Sequence, residues 1–96
     1  MQTRVVLRPL AQKQLLRVPG HVRDKLEGWV QAVHLQGPEE VRRVPGYHDE
    51  PLRGVRKGQR SIRLSKSYRA IYTSENPSMS QGIRVVAIEE VSKHGY

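Results

Sequence analysis

The 96-residue sequence contains no cysteine and no phenylalanine, and it has a single tryptophan. Without cysteine there is no disulfide framework, no thiolate metal site and no thiol nucleophile, so a domain of this size must hold together by packing alone. With so few large aromatics in an apolar share of 36%, one modest core is affordable, and an active site belongs on the surface or in a shallow groove. No stretch approaches the ~20 apolar residues of a membrane-spanning helix, and no basic N-terminal segment leads into an apolar run. A soluble, cytoplasmic protein of one domain, residues 1–96, is expected. No Walker-type loop or dinucleotide fingerprint occurs, because Gly54 to Gly58 lacks the flanking strand and helix that such loops need. His21, His34, His48 and His94 show neither H-x-H nor H-x-x-x-H spacing, so no local histidine metal site is expected.

What the sequence does have is positive charge. Seventeen Lys and Arg against nine Asp and Glu give a formal charge of +8, a field that attracts polyanions and puts nucleic acid first among partner classes. The charge is concentrated. Between Arg53 and Arg69 there are seven basic residues (Arg53, Arg56, Lys57, Arg60, Arg63, Lys66 and Arg69) and no acidic one. Arginine there offers a planar fork that grips phosphate oxygens in two places. Arg53, Arg56, Lys57, Arg60, Lys66 and, near the C-terminus, Lys93 are the RNA-binding candidates; the bland alternative is a solvated basic loop.

Local pattern places these residues on elements. Thr3 to Leu7 is a β-branched run fit for one short strand, and Pro9 ends it or opens the next element. Leu10 to Arg17 favours helix until Pro19-Gly20 breaks it. Val22, Leu26, Trp29, Val30 and Val33 then recur on one face of a second helix that ends near Gly37-Pro38. Residues 37–58 have no sustained period and read as a long connection with room for a short turn of helix, a length that hints at function. Ser61 to Ser65, Tyr68 to Thr73 and Ile83 to Val91 look like a three-strand antiparallel meander. Alternation in the first of these puts Ile62 and Leu64 inward, with Ser61, Arg63 and Ser65 on a wet face. The expected class is α+β, two N-terminal helices on one face of a small, mainly antiparallel sheet.

Proton carriers are few. The tail Val91-Ser92-Lys93-His94-Gly95-Tyr96 brings His, Lys and Tyr together after the last strand, and histidine titrates near neutrality; a frayed polar tail is the plain alternative. His48 is a second candidate, while His21 and His34 read as packing or surface residues. Tyr68 and Tyr72 read as sheet packing. Glu89 and Glu90, adjacent on a strand, are expected on opposite faces, which argues against a two-carboxylate mechanism.

The runs PLRGVRKGQRSIRLSKSYRAIY and IRVVAIEEVSKHGY resemble the RelE/ParE toxin superfamily, including its HigB-like branch, and the likeness in element order extends over nearly the whole chain. That resemblance implies the RelE-like fold, a neighbouring acidic antitoxin as partner, and, for the RNA-cleaving members, entry into the ribosomal A site and metal-free, cofactor-free cleavage of mRNA. It further implies that Arg63 and Arg69 hold the scissile phosphate and that His94 and Tyr96 are catalytic. Many relatives carry an acidic residue between the last two; here it is Gly95. The alternatives are a ParE-like gyrase-poisoning toxin without RNase activity, whose members generally lack the His and Tyr, and a basic binding module without catalysis.

Overall fold

The computed structural model describes residues 2–75 and 82–93. The chain opens with strand β1 (Gln2–Leu7). Helix α1 (Pro9–Leu15) starts with proline in its first turn, where a missing N–H costs nothing. Helix α2 (Gly20–Gln36) buries Val22, Leu26, Trp29 and Val33, the stripe expected from spacing, with Val30 half-buried beside it. It stops at Gly37, whose φ of +84° suits glycine and whose N–H closes on the Val33 carbonyl at 2.8 Å.

The long connection is structured. It holds the short helix α3 (Pro38–Val41), a 3₁₀ turn at Pro45–Tyr47, strand β2 (Glu50–Pro51) and a second 3₁₀ turn at Gly54–Arg56. Strands β3 (Arg60–Arg63), β4 (Tyr68–Ser74) and β5 (Ile83–Lys93) complete the sheet.

The strand order is β1-β5-β4-β3-β2. The expected meander is present as β3, β4 and β5, each antiparallel to the next. To it the fold adds β1, parallel to β5 from Gln2 opposite Ile83 to Leu7 opposite Ile88, and β2 on the far edge. The result is the expected α+β arrangement, two N-terminal helices against a mixed, mostly antiparallel five-stranded sheet. The core lies between helices and sheet, where Ala11, Val22, Leu26, Trp29 and Val33 meet Ile62, Leu64, Ala70, Tyr72, Val86, Ile88 and Val91. Fully burying aliphatic side chains of this kind contributes about 1.5–3 kcal/mol each.

The register slips once. Ile71 pairs with Glu90 and Tyr72 with Ile88, which leaves Glu89 as the extra residue of a β-bulge. The bulge shifts the alternation of β5, so that Val86, Ile88 and Val91 all reach the core.

Candidate active site

On the sheet face away from the helices, strand alternation collects Ser61 and Arg63 from β3, Arg69, Ile71 and Thr73 from β4, and Glu90 and Ser92 from β5. Two cross-strand rows result. In one, Arg63 is opposite Arg69 and Arg69 opposite Ser92. In the other, Ser61 is opposite Ile71 and Ile71 opposite Glu90. The rows are two residues apart along each strand, roughly 6–7 Å at the usual rise. The expectation that Arg63 faces outward therefore holds, and the register places Arg69 on the same face.

Ser61 departs from expectation. It is buried, as is Ile71 beside it. The reason is the connecting segment: Arg56 Nη1 reaches Glu90 Oε1 at 2.8 Å, and the Ser61–Ile71–Glu90 row runs beneath that reach. Arg56 thus reaches back over the sheet, while Arg53, Val55 and Lys57 of the same turn stay exposed.

Glu89 and Glu90 are also placed differently from the sequence expectation. The bulge turns both carboxylates toward the helix-free face: Glu89 accepts from Thr73 Oγ1 at 3.0 Å, and Glu90 pairs with Arg56 and accepts from Ser92 Oγ at 3.0 Å. Each has its own cation, Glu89 taking Arg8 at 3.5 Å and Glu90 taking Arg56. Burial pushes the Glu90 carboxyl up, but the hydrogen bonds from Arg56 and Ser92 outweigh it and hold the group below its ordinary range. A carboxylate held ionised in this way is a poor proton donor.

The two arginines of the other row differ from these. Among the described residues neither Arg63 nor Arg69 has a carboxylate within ion-pairing distance. Arg69 is half-buried, and its Nε is buried without a hydrogen-bond partner there. The charge of Arg69 also helps to hold the Glu90 carboxyl down, and two guanidinium groups in register beside it form a site suited to an anion such as phosphate.

The remaining candidates divide. Arg53 and Lys57 are exposed on either side of the 3₁₀ turn Gly54–Arg56, Lys66 is exposed in the β3–β4 turn, and Lys93 is exposed at the end of β5 opposite Tyr68. Arg60 is not part of either row. It lies opposite Tyr72 on the helix side, with its Nε 2.6 Å from Asp49 Oδ1. Asp49, its side chain 1% exposed, also accepts the Tyr72 hydroxyl at 2.5 Å and lies 3.9 Å from Arg42 Nε. Burial first, and then the neighbouring carboxylate, push the Tyr72 hydroxyl up to about 12. Tyr72, with its ring 4.8 Å from that of Trp29, is core, as expected. Asp49 was not singled out by its sequence context, yet it anchors the segment that leads into the basic turn.

His48 precedes Asp49, exposed and in the left-handed conformation at φ +48°. His21 is exposed, and His34 Nδ1 lies 3.0 Å from the Thr3 carbonyl. His94 and Tyr96 lie outside the described residues.

This architecture is the RelE-like fold. Similar solved structures include the YoeB/ParE toxin from Agrobacterium tumefaciens (15% identity, TM-score 0.68, covering 96% of this chain and 99% of that one). A chain of the E. coli DinJ-YafQ toxin-antitoxin complex is similar at 17% identity and TM-score 0.70, covering 98% of this chain and 94% of that one. A chain of the archaeal RelE-RelB complex from Pyrococcus horikoshii is similar at 21% identity and TM-score 0.67, covering 99% and 98%. No family model and no curated protein matches the chain. The fold implied by the sequence resemblance is thus the observed fold.

Proposed function

We propose that this protein is the toxin of a toxin–antitoxin pair and a ribosome-dependent endoribonuclease that cleaves mRNA in the A site and thereby halts translation. The observation that carries this reading is the Arg63–Arg69–Ser92 row, with two arginines in register on the helix-free sheet face and, among the described residues, no carboxylate within ion-pairing distance of either.

The chemistry needs no metal. The ribose 2′-OH loses its proton to a base and its oxygen attacks the adjacent phosphorus. The bond to the 5′-oxygen breaks, an acid protonates that leaving oxygen, and a 2′,3′-cyclic phosphate remains. Arg63 and Arg69 stabilise the negative charge that gathers on the phosphoryl oxygens. His94 and Tyr96 carry the protons.

The partner is an acidic antitoxin that covers part of the Arg53 to Arg69 surface. The charge of +8 supports this, as do the toxin–antitoxin complexes among the structural neighbours. Opposite charge of this size acts mainly on the association rate.

The test is primer extension on a defined mRNA in a translating extract. Cuts that appear only when ribosomes occupy the message support the reading. Arrested translation with mRNA and DNA both intact overturns it, and broken DNA in the presence of gyrase selects the ParE-like alternative.

A further inference from the structure

The turn that carries Arg53, Arg56 and Lys57 is closed on itself. Its backbone bonds are local: Leu52 N to Gln59 O, Arg56 N to Arg53 O, Lys57 N to Gly54 O and Gln59 N to Arg56 O. Among the described residues, the polar contact that ties its tip to the sheet is the Arg56–Glu90 pair. A guanidinium has five N–H donors in a fixed fork. Arg56 engages Glu90, and Gln59 at 3.4 Å, through Nη1, and its side chain keeps 42% exposure. Both oxygens of Glu90 are engaged: one takes Arg56, the other takes the Ser92 hydroxyl, and its side chain is 19% exposed. The pair stands one row, roughly 6–7 Å, from Arg63–Arg69–Ser92.

We infer that Glu90 is a positioning residue for the phosphate site: by holding Arg56 through Nη1 it fixes the remaining donors of that guanidinium beside the Arg63–Arg69 row, making Arg56 the third arm of an RNA-backbone clamp. The inference rests on the reading that this face receives RNA. It assigns the carboxylate a role opposite to the one its charge suggests. A negative group on an anion-binding face repels the ligand, so Coulomb's law alone makes removal of Glu90 tighten binding. Positioning predicts the reverse, because an untethered Arg56 must be ordered at the cost of side-chain and loop entropy when RNA arrives. The sign of the effect separates the two.

The experiment is a binding cycle on the full chain with a short oligoribonucleotide carrying 2′-O-methyl sugars, which cannot be cut. Parent, Glu90→Gln, Glu90→Ala, Arg56→Ala and the Glu90→Ala/Arg56→Ala double variant are compared, with melting curves to verify folding. Each single variant is expected to bind about tenfold more weakly, as loss of one charge-assisted contact implies. The double variant should bind no more weakly than Arg56→Ala. Glu90→Gln, which preserves shape, should also speed hydrogen exchange at the amides of Arg56, Lys57 and Gln59. Tighter binding by Glu90→Gln, losses that add in the double variant, or unchanged exchange each overturn the inference. The exchange readout needs no RNA, and mRNA cleavage by the parent is scored separately. A protein that cuts nothing therefore defeats the nuclease reading without deciding the tether.

Discussion

Arg63 and Arg69 are register partners across β3 and β4, two like charges placed opposite one another on the same sheet face. Directly opposed like charges destabilise a sheet by roughly 0.2–1 kcal/mol. A conflict of this kind between stability and charge marks a position kept for what it binds. Arg63→Ala is therefore expected to raise the melting temperature by a few degrees while cutting mRNA cleavage more than it weakens ribosome binding, which other cations share. Thermal melts and single-turnover cleavage on the same preparation check this. A variant that loses stability and retains full activity refutes the assignment.

The Asp49 cluster makes the opposite prediction. Asp49→Ala removes the shared counter-ion of Arg60 and Arg42 and the acceptor of the Tyr72 hydroxyl. Breaking a buried pair costs about 3–5 kcal/mol, and the lower figure applies here because both arginines retain some contact with water. The melting temperature should fall by at least about 10 °C, and Arg60→Ala should also destabilise while leaving affinity for RNA nearly unchanged. Denaturant titration and oligonucleotide binding test the two halves.

Tyr72 adds a pH signature. Its folded value is pushed up to about 12 from about 10 in an unfolded chain, so the folded state holds the proton more tightly. That stability is fully present below about pH 10 and is lost as pH rises through 12. Unfolding followed at pH 9 and pH 11.5 should show the loss in the parent. Tyr72→Phe should be less stable at pH 9 but should lose less further stability between the two; an equal decline in both assigns the alkaline effect to another group.

The peripheral cations should act through salt. Arg53, Lys57, Lys66 and Lys93 are exposed; each that contacts a phosphate contributes about 0.7 to the slope of log K against log salt for a single strand. Alanine at Lys57 or Lys66 is expected to flatten that slope with little change in the cleavage rate at saturation. An unchanged slope removes the residue from the footprint.

Much of this was legible in the sequence because it is local. The α2 stripe, the break at Gly37, the three late strands and the outward Arg63 all follow from spacing and turn chemistry within a few residues. The parallel pairing of β1 with β5 was not, since it joins residues about eighty positions apart and leaves no local mark. The bulge at Glu89 did leave one: apolar residues at 86, 88 and 91 step by two and then by three, and strict alternation across that step misplaces one glutamate. Asp49 left none, because a buried carboxylate in a polar loop reads like any turn residue until its partners from β3 and β4 are known.

The tail carries the sharpest prediction. His94 and Tyr96 are proposed as the groups that move protons at a site whose charge is handled by Arg63 and Arg69, and such groups typically contribute about 100-fold to 10,000-fold in rate. If the cations hold the phosphate and the tail moves protons, as proposed, affinity and rate should separate. His94→Ala is expected to bind ribosome and antitoxin as the parent does and to cut mRNA at least about 100-fold more slowly. Its residual activity should lose the dependence on pH near neutrality that a histidine confers. Tyr96→Phe tests the second group and retains the ring, so a loss there isolates the hydroxyl. Parental cleavage rates in both variants would move proton transfer off the tail, leaving exposed His48 as the next group to replace.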